Sequence, residues 1–265
     1  SSDEEGFHAQ RRIRVGAEPA HVWKRCKPKR DTHWTNDNWL KSLFHFSFAE
    51  WRAGPPNFGV LRVLNDDLVQ PKRGFGTHGH SNMEIFTLIV SGHLTHQDSM
   101  GSAESLGRGS VQFMSAGTGV QHSEFNHSEE VPLRFLQLWI IPDKLVQPRY
   151  GSYCGSSVEA IAERSNRWAH LASSVTSNAA TPIKLQQDVS IRVAELHQPQ
   201  TLEFSLSAGR QAYFVSVEGT ASVFAEGSGE LELDEQDAAE LKGPLALRFT
   251  SAAAGMWLLV EMKAE

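Results

Sequence analysis

His78 and His80 stand two residues apart, and His122 and Glu124 repeat that spacing about forty residues later. On a β-strand, residues i and i+2 point to the same face, about 6.5–7 Å apart along the chain. Each pair can therefore aim both side chains at one point. If the two strands neighbour each other in a barrel, three imidazoles and one carboxylate face a single interior position. That donor set suits iron, manganese, nickel, copper or zinc. Each pair alone is a weak signal. The chain has 12 histidines, and an interior histidine is commonly a hydrogen-bonded core residue rather than a ligand. On spacing alone, metal binding and a purely structural role both stand.

Glu84 lies four residues after His80, on the same face of a strand that begins early enough. It can be a ligand; the expected role is a hydrogen-bond acceptor behind the ligands. The other histidines compete poorly. His93 and His96 are three apart and do not converge on a strand. His45 sits in the aromatic run Leu43–Phe48, where packing is expected, and His127 falls in a loop. His197, after His170, has no partner, so the C-terminal half lacks a matching site. No GxSxG elbow is present. Gly74-Phe75-Gly76 and Gly117-Thr118-Gly119 lack the Lys-Ser/Thr end of a phosphate loop. They read as tight turns at a barrel rim, with Gly76 and Gly119 supplying unusual backbone angles.

The elements that must position these residues are strands. Asn57–Asn65, Glu84–Val90, Ser110–Ser115 and Leu133–Ile141 are rich in β-branched and aromatic residues, with glycine and asparagine turns between them. Residues 143–180 lose this rhythm; Val158–Arg164 reads as a short helix and Ser173–Thr181 as a polar turn. Strands return over Ser190–Leu196, Thr201–Leu206, Ala212–Val217, Ala221–Phe224, Leu245–Phe249 and Met256–Met262. The expected fold is all-β: two stacked barrels. Its parts are a flexible leader over 1–35, an N-terminal barrel over 36–142 with the metal site, a connection over 143–183, and a C-terminal barrel over 184–265 without metal.

Composition narrows the function classes. The 265 residues are 40% hydrophobic and 21% charged, enough for a sizeable core. The net charge of −6 argues against direct nucleic-acid or anionic-lipid binding, and no apolar run reaches membrane-spanning length. Cys26 and Cys154 show no CxxC spacing, so ordinary thiols in a reducing compartment are expected. The run Lys24–Arg30 carries five bases in seven residues. It reads as a solvated leader, or as a nuclear-localisation signal or nucleic-acid patch. A cytoplasmic or nuclear location is expected, or organelle import if the N-terminus is a processed end.

At these residues the chain resembles the pirin family of bicupins. The strings that carry the resemblance are Gly74–Gly92 (GFGTHGHSNMEIFTLIVSG), His96–Gly101 (HQDSMG) and Met114–Asn126 (MSAGTGVQHSEFN). Phe46–Phe48, Leu61–Asp67, Leu138–Pro142 and Pro148–Tyr150 add to them. The resemblance spans roughly residues 36–262 and is dense in the first half. It implies two cupin (jelly-roll) β-barrels, with one divalent transition metal, iron(II) foremost, in the N-terminal barrel. The family's HxH and HxE pattern falls on His78, His80, His122 and Glu124, and so places the carboxylate ligand at Glu124 rather than Glu84. Similar sequences of bacterial type imply quercetin 2,3-dioxygenase chemistry. There a small phenolic substrate loses a proton to a base such as Glu124, dioxygen adds across the ring, and carbon monoxide leaves. Other members imply a non-enzymatic, iron-dependent redox-sensing transcription cofactor that binds a regulatory protein, or an accessory subunit of a larger complex.

Overall fold

The structure, a computed structural model, describes residues 23–26, 29–30, 34–49, 51–52 and 54–265. The chain forms two β-lobes, each a seven-stranded sheet facing a four-stranded one. In the first lobe the larger sheet runs in the order Arg149–Tyr153, Val111–Ser115, Glu84–Ser91, Leu133–Ile140, Leu61–Val69, Leu40–Phe44, Lys29–Arg30. Its smaller sheet is Arg73–His80, Val120–Asn126, Leu94–Asp98, Ala103–Leu106. In the second lobe the larger sheet is built mainly on Arg210–Glu218, Gly255–Lys263 and Val189–Leu196, and the smaller on Gln200–Leu206, Leu245–Ser251, Ala221–Ala225 and Gly229–Leu233.

Alternation along one strand shows how the layers stack. In Glu84–Ser91 every residue but the last is buried, because the strand is covered on both faces. Phe86, Leu88 and Val90 join Leu136, Leu138, Ile191, Val193, Tyr213, Val215 and Leu258 in one core shared by both lobes. Ile85 and Ile89 point the other way, into the first barrel. The two large sheets therefore pack face to face, and each small sheet closes a barrel on the outside.

The second barrel is filled. Phe214, Phe249 and Trp257 are fully buried in its interior, with the Phe214 and Phe249 rings 4.5 Å apart. The first barrel instead encloses a cavity of about 660 Å³.

Part of the stretch expected to be a flexible leader is strand. Trp23–Cys26 pairs with Ala238–Leu241 at the edge of the second lobe, and Lys29–Arg30 pairs with Leu43–Phe44 in the first. The basic run thus contributes its backbone to two sheet edges, where pairing satisfies amide groups that an edge leaves open. Residues 1–22, 27, 28 and 31–33 of the leader and basic run lie outside the described residues. The connection is likewise divided between lobes. Arg149–Tyr153 extends the first large sheet, while Ala169–Ser174 and Ile183–Leu185 belong to the second. The expected helix forms over Val158–Arg164, capped by Ser157 Oγ, which accepts from Ala160 N at 3.1 Å. Among the described residues, no helix is long and apolar enough to cross a membrane.

An ion-pair network ties the lobes together. Glu195 Oε1 accepts from Arg108 Nε and Glu195 Oε2 from Arg164 Nε, both at 2.7 Å. Arg108 also meets Glu218 at 2.6 Å. Arg164 is 3% exposed and Glu195 8%. Removing the shared acceptor strands a buried guanidinium, a loss that typically costs about 3–5 kcal/mol. Glu195→Ala is therefore expected to lower the urea midpoint markedly. A shift equivalent to less than about 1 kcal/mol, the range of exposed pairs, would show that the network does not bind the lobes.

Candidate metal centre

His78, His80 and His122 come together on the inner face of the small sheet of the first lobe. Val120–Asn126 runs antiparallel to Arg73–His80, with His122 directly opposite His78 and Val120 opposite His80. A register shift between His122 and Glu124 places Glu124 opposite Phe75. Gly74 makes this close approach feasible, since a Cβ there would fall 2.3 Å from the Glu124 carbonyl oxygen. The Gly74-Phe75-Gly76 segment is thus strand, not the expected turn. Gly119 does take the expected unusual backbone angle, with φ +133°.

The three rings lie 4.4–4.8 Å apart, centroid to centroid. One nitrogen from each falls within 4.8 Å of the others. His78 Nδ1 is 2.8 Å from the Gly76 carbonyl oxygen; a carbonyl only accepts, so Nδ1 is the donor there and Nε2 is the nitrogen left to serve as a ligand. That Nε2 lies 2.9 Å from His122 Nε2. Two nitrogens held at ~2.1 Å from one ion, at right angles, stand about 3 Å apart. His80 Nε2 is buried and, among the described residues, has no hydrogen-bond partner. Burial lowers His80 to about 4 and His122 to about 2, and the neighbouring imidazoles add to both shifts. Both rings are therefore neutral at pH 7, as metal ligation requires. These residues fit a divalent transition ion.

Glu124, the fourth expected ligand, stands outside the three-nitrogen cluster but lines the same cavity. It is 2% exposed. Both its oxygens accept from Gln137 Nε2, at 2.9 and 3.1 Å, and Gln137 Oε1 accepts from Trp139 Nε1 at 3.0 Å. Burial raises its carboxyl to about 7.

Glu84 lies elsewhere. The strand begins at Glu84, so this residue shares a face with Phe86 and Leu88 and turns toward the second lobe. Its Oε2 accepts from Gln186 N at 2.7 Å. The expected place behind the metal ligands is corrected: Glu84 fastens one lobe to the other. Burial raises it from 4.5 to about 7, against the opposing hydrogen bond from Gln186. A carboxyl raised on folding stabilises most below its unfolded value and loses that contribution as pH rises through its folded value. The window is pH 4.5–7, and the loss is on the order of 3 kcal/mol. Melting curves of Glu84→Gln should therefore lose less stability than wild type between pH 5 and pH 8. Parallel pH profiles would refute the assignment.

His96 is the residue that spacing missed. It is fully buried, 5.5 Å from His122 between ring centroids and stacked on Tyr150 at 4.5 Å. Its Nε2 lies 3.0 Å from Asp98 Oδ2 and its Nδ1 2.9 Å from Gln112 Nε2. The signal was His96-Gln97-Asp98, which repeats the i, i+2 pattern; pairing His96 with His93 concealed it. His45 packs as expected, its Nδ1 3.0 Å from the Tyr213 hydroxyl. Among the described residues, the second lobe holds no comparable cluster.

The cavity that His78 and His80 line is walled by rings: Phe44, Phe48, Trp51, Phe75 and Trp139. His80 meets Trp139 edge to face at 5.0 Å.

Comparison with known proteins agrees with this architecture. Residues 26–140 match the family model described as Pirin, and residues 171–262 match that of the quercetinase C-terminal cupin domain. A Pseudomonas aeruginosa protein with a provisional quercetin 2,3-dioxygenase name is 36% identical over 229 residues, 86% of this chain and 94% of its own. The quercetin 2,3-dioxygenase of Escherichia coli K12 is 47% identical over 119 residues, 43% of this chain and 51% of that one. The bacterial pirin YhhW of Escherichia coli, solved in complex with nickel(II), superposes with a TM-score of 0.79 at 27% identity, covering 92% of this chain and all of that one. With both lobes matched in order and the paired histidine strands in place, this chain belongs to the pirin family.

Proposed function

We propose that the protein is a metal-dependent dioxygenase that opens the ring of a flavonol of the quercetin type. The observation that carries this reading is the three-imidazole cluster, two of whose rings, His78 and His80, line an aromatic cavity of about 660 Å³ with a buried carboxyl in the same lining. The quercetin 2,3-dioxygenase names of the similar bacterial proteins support it.

His78, His80 and His122 would hold the ion; the donor set admits iron(II), manganese, nickel, copper or zinc. A bound ion would supply Lewis acidity toward the substrate hydroxyl and access to dioxygen. The chain's own residues do the rest. Phe44, Phe48, Trp51, Phe75 and Trp139 offer flat apolar surface to a fused ring system and exclude water. Glu124 is the base. A carboxyl near 7 can accept a phenolic proton at neutral pH, where an exposed glutamate is too weak a base to do so well. Gln137, itself oriented by Trp139, aims it.

Oxygen uptake by metal-depleted protein, repleted separately with each ion, tests the reading. At least one ion should give quercetin-dependent uptake with release of carbon monoxide. Stoichiometric metal binding without uptake on any flavonol would refute it.

A further inference from the structure

Beside the three imidazoles lies a buried acid that the proposed chemistry does not use. Asp98 stands directly opposite His122 on the neighbouring strand, and His96 stands opposite Glu124. The side chains of His96 and Asp98 are 1% and 0% exposed, and neither residue lines the cavity. They do not meet an occupant of the cavity, so their influence on the site passes through His122.

Hydrogen bonding favours the anion at Asp98. Its Oδ1 accepts from Met100 N at 2.8 Å and from Ser102 N at 3.0 Å, and its Oδ2 lies 3.0 Å from His96 Nε2. Three donors on one carboxylate stabilise its charged form. His96 is fixed in turn. A carboxylate accepts, so Nε2 is the donor to Asp98. The other nitrogen, Nδ1, lies 2.9 Å from Gln112 Nε2. Tyr150 stacks on the ring at 4.5 Å and is itself anchored by donating to Glu104.

This frame meets His122, whose ring lies 5.5 Å from that of His96 at an interplanar angle of 60°. His78 is oriented by the hydrogen bond from its Nδ1 to Gly76. His122 has no such hold: its Nδ1 is buried and, among the described residues, lacks a hydrogen-bond partner. Packing must set the ring that presents Nε2 to an ion, and His96 supplies that packing. A histidine–carboxylate pair is an unfavourable filling for a barrel interior unless its charge is answered; the second lobe uses Phe214, Phe249 and Trp257. A divalent ion on three neutral imidazoles would answer it.

We propose that Asp98 is a positioning residue for the metal centre: through His96 it fixes the His122 ring, and its buried charge balances that of the ion. This rests on the metal-dependent reading above, though not on its substrate.

Titration of the metal-free full chain with cobalt(II) and nickel(II) tests it. Affinity is read by competition with a chelator, and ligand geometry by the visible bands of the cobalt form. Asp98→Asn keeps the shape and removes the charge. It should bind both ions about ten- to a hundredfold more weakly than wild type and shift the cobalt bands. Bands recorded at saturating cobalt do not follow stability, so a merely structural pair would leave them unmoved. Unchanged bands, or an affinity within about twofold of wild type, overturn the proposal. If Asp98→Asn fails to fold, His96→Gln is titrated against the same criteria. A wild type that binds neither ion overturns the metal-dependent reading as well. Ion binding without flavonol turnover overturns the flavonol reading alone, and the Asp98 criteria still decide this one.

Discussion

His122→Ala is expected to empty the metal centre and abolish turnover. His122 is the hinge of the cluster: its ring is 4.4 Å from His78 and 4.8 Å from His80, and its strand lies between those of His78 and His96. Removing one of three imidazoles leaves a pair on a single strand, which binds a divalent ion weakly. Metal per chain should fall from about one to below about a tenth, and turnover by more than about 10³-fold, as loss of the ion removes its charge stabilisation altogether. A second readout does not depend on catalysis. An ion that binds only the folded state stabilises it by about 2.7 kcal/mol at a hundred times its dissociation constant. Added metal should thus raise the melting temperature of wild type and leave that of His122→Ala unmoved. Equal metal-dependent shifts in the two proteins would remove His122 from the ligand set.

Legibility in the sequence followed burial. The strands found from composition, such as Glu84–Ser91 and Leu133–Ile140, belong to the large sheets, which are covered on both faces and so read as unbroken apolar runs. The small outer sheet of the first lobe did not announce itself. Arg73–His80 holds three glycines and is nowhere fully buried, and Ala103–Leu106 is short and mostly exposed. Their inward residues are chemical rather than apolar, so hydrophobic alternation is absent where the function lies. The paired histidine motifs compensated, because ligand spacing keeps the strand period that hydrophobicity had lost. Glu84 misled for the complementary reason. It sits at the first residue of its strand, and its face depended on a boundary that composition does not fix within one residue. Asn65 and Asp67 lay in plain view as polar residues inside an apolar strand. Both line the cavity, and Asp67 accepts from Ser42 Oγ, which together account for polar residues there.

Glu124→Gln separates binding from chemistry. The substitution keeps shape and removes the charge and the proton-accepting oxygen. The glutamine oxygen can still accept from Gln137 Nε2, so the local hydrogen bonding survives in part. If the three histidines alone hold the ion and Glu124 is the base, metal content stays near one per chain while turnover falls by about 10²–10⁴-fold, the usual contribution of a positioned general base. The defect should appear in kcat, with KM little changed, because the proton moves only as the hydroxyl reacts. If metal is lost in parallel with activity, the carboxylate belongs to the coordination shell, as the HxE motif implied. If both survive, the buried carboxyl has no part in the chemistry and the base must be sought elsewhere in the cavity. The geometry argues for the first outcome: the three imidazole nitrogens converge without Glu124, and both of its oxygens accept from Gln137 Nε2.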